Sequence, residues 1–304
     1  MRKAHDSSWP ADDFNSVQRH LPYAVCGNTN QIDEIRKPQH RMKNGLSQFP
    51  AFNDFAKEIR RIISVADERN LTLRIMGGAA IRMHCPKHED MYERLKRVPK
   101  HDMDFVTYSK FRPLTKKLFT DLGYEPYISL MMTGQAGRLR QIFNDKEGNR
   151  AIDVFLDKLK MCHEIEFQNR LELDTPTVPL AELLLQKLQI CETNEKDIQD
   201  SIILLREHEI GDTDKDEING KYIASILANE WGFYYTVTQN LTKVAEFTRE
   251  YGSLTAEDKD VVTKRIEKLR QIIEQTPKAL AWKMRAKVGP SVKWYNVVEE
   301  VQRT

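Results

Sequence analysis

In 304 residues no apolar run approaches the roughly 18 residues that a bilayer-spanning helix needs, so no membrane span is expected. The opening stretch Met1-Arg2-Lys3-Ala4-His5-Asp6 lacks an apolar core, so no secretory signal is expected either. Cysteine is scarce. Cys26, Cys85, Cys162 and Cys191 are scattered with no CxxC spacing, which speaks against a disulfide framework and for reduced thiols in a soluble, cytoplasmic protein. His84, Cys85 and His88 lie close together, but no partner cluster follows them as a zinc site would require. An excess of one charge is also missing. The formal net charge is only +2, so the chain as a whole has no polyanion-binding signature, and its basic residues must be judged locally.

What is present is a chain 40% hydrophobic and 30% charged, enough for a substantial core and for two domains. Residues 1–48 are polar, irregular and dotted with Pro, Asn and Gln, the composition of a loose N-terminal arm. Order is expected from about Pro50. Phe52, Phe55, Ile59, Ile62 and Ala66 recur at helical spacing up to about Asn70. A short strand, Leu71 to Met76, runs into Gly77-Gly78, and Ala79 to Met83 reads as the start of a helix. Beyond the charged segment Lys87 to Lys100, strands are expected at Met103 to Tyr108, near Tyr124 to Met132, at Leu139 to Phe143 and at Ala151 to Leu156, with a helix at Pro113 to Leu122. The run Asn144 to Asn149 has hairpin-turn chemistry. Residues 49–178 thus read as a mixed α/β domain. After Pro179 the periodicity turns helical throughout, in the segments 180–191, 195–207, 220–230, 234–251 and 256–275. Residues 179–304 are therefore expected to form a mainly helical C-terminal domain. It closes on a basic, aromatic tail with Trp282, Lys283, Arg285, Lys287, Lys293, Trp294 and Tyr295.

The chemistry points to His101-Asp102-Met103-Asp104-Phe105. In a strand, side chains alternate between faces, so Asp102 and Asp104 point the same way. Two carboxylates held side by side repel each other, and a divalent cation relieves that repulsion. Asp153, flanked by Ile152, Val154 and Phe155, is a third acid in an apolar strand, where an unpaired carboxylate is costly. Three acids on neighbouring strands make a site for a hard cation such as Mg²⁺ or Mn²⁺. The strand, the Gly77-Gly78 turn and the helix after it offer a phosphate-approach geometry, because glycine removes the Cβ barrier and a helix start has free N–H groups. Lys187 falls within the apolar stripe Leu180, Leu183, Leu184, Leu188 and Cys191. Two readings stay open for it: a margin lysine reaching for water, or an ammonium directed at substrate phosphates. Asp197, in the first turn of the next helix, is either a helix-dipole partner or an acid that orients Lys187 or a substrate group.

These residues carry a resemblance. MGGAAI at 76–81, HDMDFV at 101–106, AIDVFLD at 151–157, LLLQKLQI at 183–190 and NEKDIQD at 194–200 resemble the nucleotidyltransferase fold of the DNA polymerase β superfamily. Within it they look most like the abortive-infection type, whose members include toxins. The resemblance covers roughly residues 50–210. It implies a mixed sheet flanked by helices in residues 49–178 as the catalytic domain. It also implies metal-dependent transfer of a nucleoside monophosphate from an NTP, ATP among them, to an acceptor hydroxyl with release of pyrophosphate. Asp102 and Asp104 would hold the metals. Asp153 would help bind the catalytic metal and assist deprotonation of the acceptor. Gly77 and Gly78 would admit the triphosphate, Lys187 would neutralise phosphate charge, and Asp197 would match the family's acid in the following helix.

Two positions depart from the family pattern. Ala79 stands where members usually carry Ser or Thr, and the interval from Gly78 to Asp102 is longer than in compact members. For the acceptor the resemblance offers RNA, a tRNA end included, or a small hydroxylated molecule. The basic aromatic tail suits RNA through phosphate contacts and stacking, but it also reads as an ordinary amphipathic terminal helix. A non-catalytic nucleic-acid or protein-binding role on the same scaffold is the reading from another class. An antitoxin-like partner protein is a further expectation from the toxin members, and no membrane partner is expected.

Overall fold

The structure is a computed structural model that describes residues 52–97, 102–127, 139–145 and 150–298. All of them belong to one compact unit, Phe49–Thr304. The expected N-terminal arm, His101, the outer part of the strand toward Met132 and most of the Asn144–Asn149 turn lie outside the described residues.

Helix α1 (Phe52–Glu68) leads into β1 (Leu73–Met76), with Phe55, Ile59, Ile62 and Ala66 buried along one stripe. Next come α2 (Gly77–His84), α3 (Asp90–Arg94), β2 (Met103–Thr107), α4 (Arg112–Asp121), β3 (Tyr124–Pro126), β4 (Arg140–Asp145) and β5 (Ala151–Leu156). These five strands form one sheet in the order β1-β2-β5-β4-β3. The β2–β5 pair is parallel and the other pairs are antiparallel, so the sheet is mixed. One face is apolar: Phe105 and Phe143 from β2 and β4 both pack against Phe119 of α4. By strand alternation, Asp104 and Asp153 stand on the opposite face.

A small hairpin of β6 (Lys158–Lys160) and β7 (Glu164–Glu166) follows. The chain then returns to the sheet. Ile75 N–H donates to Pro176 O (3.0 Å), and Val178 N–H donates to Ile75 O (3.0 Å). This short parallel run along β1 delivers the chain into α5 (Leu180–Leu188) beside the end of β1. The rest is helical: α6 (Glu195–Glu207), α7 (Gly220–Leu227), α8 (Trp231–Glu250), α9 (Ala256–Gln275) and α10 (Leu280–Val288), with a two-residue pairing of β8 (Ile210–Gly211) and β9 (Ile218–Asn219) before α7. One apolar core runs through both parts, from Phe55 of α1 to the stripe Val262, Ile266, Leu269 and Ile273 of α9. A mixed sheet flanked by helices with a mainly helical C-terminal region is the fold class expected from the sequence.

The boundaries differ from expectation in three instructive places. The glycines are the first turn of α2 rather than a loop ahead of it. Asp102 precedes β2, which opens at Met103. Helix α5 stops at Leu188 instead of Cys191, because the Asn240 side-chain amide donates to Leu188 O and Ile190 O (2.8 and 2.7 Å) and so takes over the terminal carbonyls.

Candidate active site

Register places the acids. In the parallel pair Asp104 lies opposite Asp153, and in the antiparallel pair Met76 lies opposite Asp104. Paired residues on adjacent strands share a face, so the two carboxylates stand next to each other where β1 ends and α2 begins. Gly77 sits at that end with φ +70°, a conformation that favours glycine. A Cβ there would lie 2.9 Å from Asp104 Oδ2. The Gly77 N–H is occupied, since it donates to Gln186 Oε1 of α5 (3.0 Å).

Asp104 is partly buried, and among the described residues no hydrogen-bond or ion-pair partner contacts its carboxylate. Its carboxyl is pushed up to about 6, first by burial and then by the charges of Asp153 and Asp102, with Lys187 and Arg140 pulling the other way. The three acids therefore feel one another. Asp153 is buried at 3% exposure and is engaged by Arg140 of β4, whose Nε donates to Oδ1 (3.2 Å) and whose Nη2 donates to Oδ2. The Arg140 guanidinium also lies over the Phe155 ring, 5.1 Å from its centre. Sequence reasoning missed Arg140. The only signal was parity: Arg140 precedes Ile142 by two residues, and Ile142 is the register partner of Asp153.

Lys187 is not a margin lysine. Its ammonium lies 3.1 Å from Asp197 Oδ1 and 2.8 Å from Asp200 Oδ2, joining α5 to α6. Burial works against the charged form, yet these two carboxylates outweigh it and raise the lysine's proton affinity. Asp197 pairs with Lys187 and also takes its place in the first turn of α6, where its N–H donates to Asn194 Oδ1 (3.1 Å). Asp200, fully buried, accepts two further bonds from Arg97, from Nε (2.7 Å) and Nη2 (2.9 Å). This cluster abuts Gly78, where a Cβ would meet Arg97 Nη2 at 2.9 Å and Asp200 Oδ2 at 3.3 Å. Both glycines thus make room for charged side chains, Asp104 at Gly77 and the Arg97–Asp200 pair at Gly78. Arg97 was hidden in the charged segment before the acids. Asp200 was visible only as the second acid of Asp197-x-x-Asp200.

Among the described residues no set of three or more Asp, Glu, His or Cys side chains is drawn together as a metal cage. Asp153 faces Arg140 instead. His84 lies against Thr177 and Asp174, His88 against Glu207, and Cys85 is buried, so the histidine–cysteine group is used in packing. The aromatic tail is likewise engaged. Trp294 Nε1 donates to Thr236 Oγ1 (3.0 Å), and Arg285 covers the Trp231 ring at 4.6 Å. None of the described helices is long and apolar enough to cross a membrane.

No family model matches the sequence, and no curated protein matches it. Solved structures do. The antibiotic-resistance factor ANT(2'')-Ia in solution matches with 14% identity, a TM-score of 0.35, and coverage of 59% of this chain and 96% of that one. ANT(2'')-Ia in complex with adenylyl-2''-tobramycin matches with 16% identity, a TM-score of 0.32, and coverage of 50% and 87%. An antigenic nucleotidyltransferase-like protein from Paracoccidioides brasiliensis matches with 14% identity, a TM-score of 0.36, and coverage of 75% and 96%. The likeness is distant.

Proposed function

We propose that the chain is a nucleotidyltransferase that moves a nucleoside monophosphate from an NTP to an acceptor hydroxyl. The observation that carries this reading is the opposition of Asp104 and Asp153 on parallel strands, with Asp102 just upstream and Gly77 yielding its Cβ position to Asp104. Burial first, and then the charges of Asp153 and Asp102, raise the proton affinity of Asp104; Asp102 and Asp104 are hard oxygen donors, and that donor chemistry fits a divalent cation. Asp102 and Asp104 would hold Mg²⁺ or Mn²⁺, with Asp153 beside them. A cation held there would supply charge neutralisation at the reacting phosphate and its leaving group. The chain's own residues do the rest. Gln186 Oε1 accepts from the Gly77 N–H and fixes that turn, and the Arg97–Asp200–Lys187–Asp197 cluster holds α5, α6 and Gly78 in register with the acids. Ala79 offers no hydroxyl to a phosphate, so the grip on the nucleotide falls to backbone and cationic groups.

Two acceptors fit this reading. RNA, a tRNA end included, is the acceptor of the toxin-like reading, which also carries the expectation of an antitoxin-like partner and of an abortive-infection type relationship. A small hydroxylated molecule is favoured by the net charge of +2 and by the tail, whose Trp294 and Arg285 are engaged in internal contacts. Incubation with Mg²⁺ and each α-labelled NTP, offering total RNA in one arm and a panel of sugars and amino alcohols in the other, separates them. Label in RNA supports the first acceptor, and label in the small molecules alone supports the second. No NTP binding in the presence of metal would replace both with a non-catalytic binding role.

A further inference from the structure

The nucleotide brings about four negative charges to a site already lined by Asp102, Asp104 and Asp153, so a cationic side chain must meet its phosphates. Among the described residues three basic side chains stand near the acids and the Gly77-Gly78 turn: Arg97, Lys187 and Arg140. Arg97 is spent on Asp200, with both Nε and Nη2 engaged and its side chain only 7% exposed. Lys187 divides its charge between Asp197 and Asp200 at 12% exposure. Together these two cations and two carboxylates form a balanced cluster that bridges α5 and α6, with no charge left over for a ligand.

Arg140 differs in three respects. It lies on the acid face of the sheet, where its register partner is Phe155 and its guanidinium meets Asp153. It is the most exposed of the three, at 24%. Its geometry also leaves an edge open. Asp153 takes the side edge of the guanidinium, through Nε and Nη2. A planar guanidinium carries five N–H donors, so the end edge formed by Nη1 and the second Nη2 hydrogen remains, and among the described residues nothing accepts from Nη1. The Phe155 ring beneath the plane limits its rotation. A guanidinium held on one edge by a buried carboxylate and open on the other is preset for bidentate contact with a phosphate.

We infer that Arg140, steadied by Asp153 and Phe155, is the residue that grips the triphosphate of the bound nucleotide, and that Lys187 is a brace between helices. The inference rests on the nucleotidyl-transfer reading. It reassigns the phosphate contact from Lys187, and it gives Asp153 a positioning role toward Arg140.

The test is equilibrium binding of a non-hydrolysable NTP analogue, and of the matching nucleoside, to the full chain with Mg²⁺. The variants are Arg140→Gln, Arg140→Lys, the double variant Arg140→Gln/Asp153→Asn and Lys187→Met, each with a thermal melt. The double variant changes both members of the buried Arg140–Asp153 pair, so it reports on binding even if Arg140→Gln fails to fold. Expected is a loss of about tenfold or more in triphosphate affinity for both Gln variants, with nucleoside binding unchanged and Arg140→Lys intermediate. For Lys187→Met the expected result is a lowered melting temperature, with triphosphate affinity close to wild type at temperatures where it is folded. A folded double variant that binds the triphosphate as wild type does would overturn the inference, as would a folded Lys187→Met that loses as much affinity as Arg140→Gln. A wild-type protein that binds no triphosphate at all would instead overturn the nucleotidyl-transfer reading and the inference with it.

Discussion

Gly77 and Asp104 share one volume: a methyl group on residue 77 would stand 2.9 Å from Asp104 Oδ2, and the backbone there has φ +70°. Alanine at this position faces both a steric and a conformational penalty. Gly77→Ala is expected to cost about 1–2 kcal/mol of stability from the left-handed backbone. Because the methyl also displaces the Asp104 carboxylate, transfer should fall by about tenfold or more. Melting and single-turnover rates, measured on the same preparation, check both. A stable, fully active Gly77→Ala would show that Asp104 is free to move without consequence.

The Arg97–Asp200 pair makes a prediction about stability alone. Both partners are buried, at 8% and 0% exposure, and Lys187 is the other cation on Asp200. Arg97→Ala leaves that carboxylate undercompensated in the interior, which costs about 3–5 kcal/mol. The exposed Lys57–Asp54 pair of α1 is the contrast: Lys57→Ala should change stability by less than about 1 kcal/mol. Urea unfolding of the two variants, with equal m-values, decides whether burial governs as stated.

Asp258 ties the C-terminal helices to the segment ahead of the acids. It accepts from Arg94 Nη1 (2.7 Å) and Arg206 Nε (2.8 Å), and it closes the capping box of α9 with Thr255. Burial favours its neutral form, but the bonds from Arg94, Arg206 and Thr255 outweigh this and hold the carboxyl well below the ordinary range. A depressed folded value means stability that is present above the unfolded value, about 4, and is lost as the pH falls below it toward the folded value. Wild type should therefore melt above Asp258→Asn at pH 7, and the gap should narrow as the pH drops below about 4. A gap that stays constant down to pH 3 contradicts this account of the site.

Much of this was legible in the sequence, for definite reasons. The stripe Val262, Ile266, Leu269 and Ile273 has a clean helical period, and all four residues are buried on α9. The alternation around Asp104 and Asp153 foretold that both would lie on strands, and the parallel register sets them side by side. Gly77 and Gly78 were visible as a turn, but not the reason for each. That reason is a side chain from far along the chain, Asp104 for one and the Arg97–Asp200 pair for the other. Arg140 and Arg97 were invisible because a surface arginine and a site arginine look alike until strand order and helix packing bring a carboxylate to them. The same holds for Gln186, whose bond to the Gly77 N–H joins residues 109 positions apart.

The most direct measurement is transfer of label from an α-labelled NTP in the presence of Mg²⁺ by the wild-type chain and by Asp104→Asn, a near-isosteric change that removes one carboxylate charge from the site. The account predicts labelled product with wild type and a loss of about a hundredfold or more with Asp104→Asn, while the variant melts at or above the wild-type temperature because the cost of burying the charge, and then the repulsion from Asp153 and Asp102, is relieved. Equal labelling by a folded Asp104→Asn would contradict it.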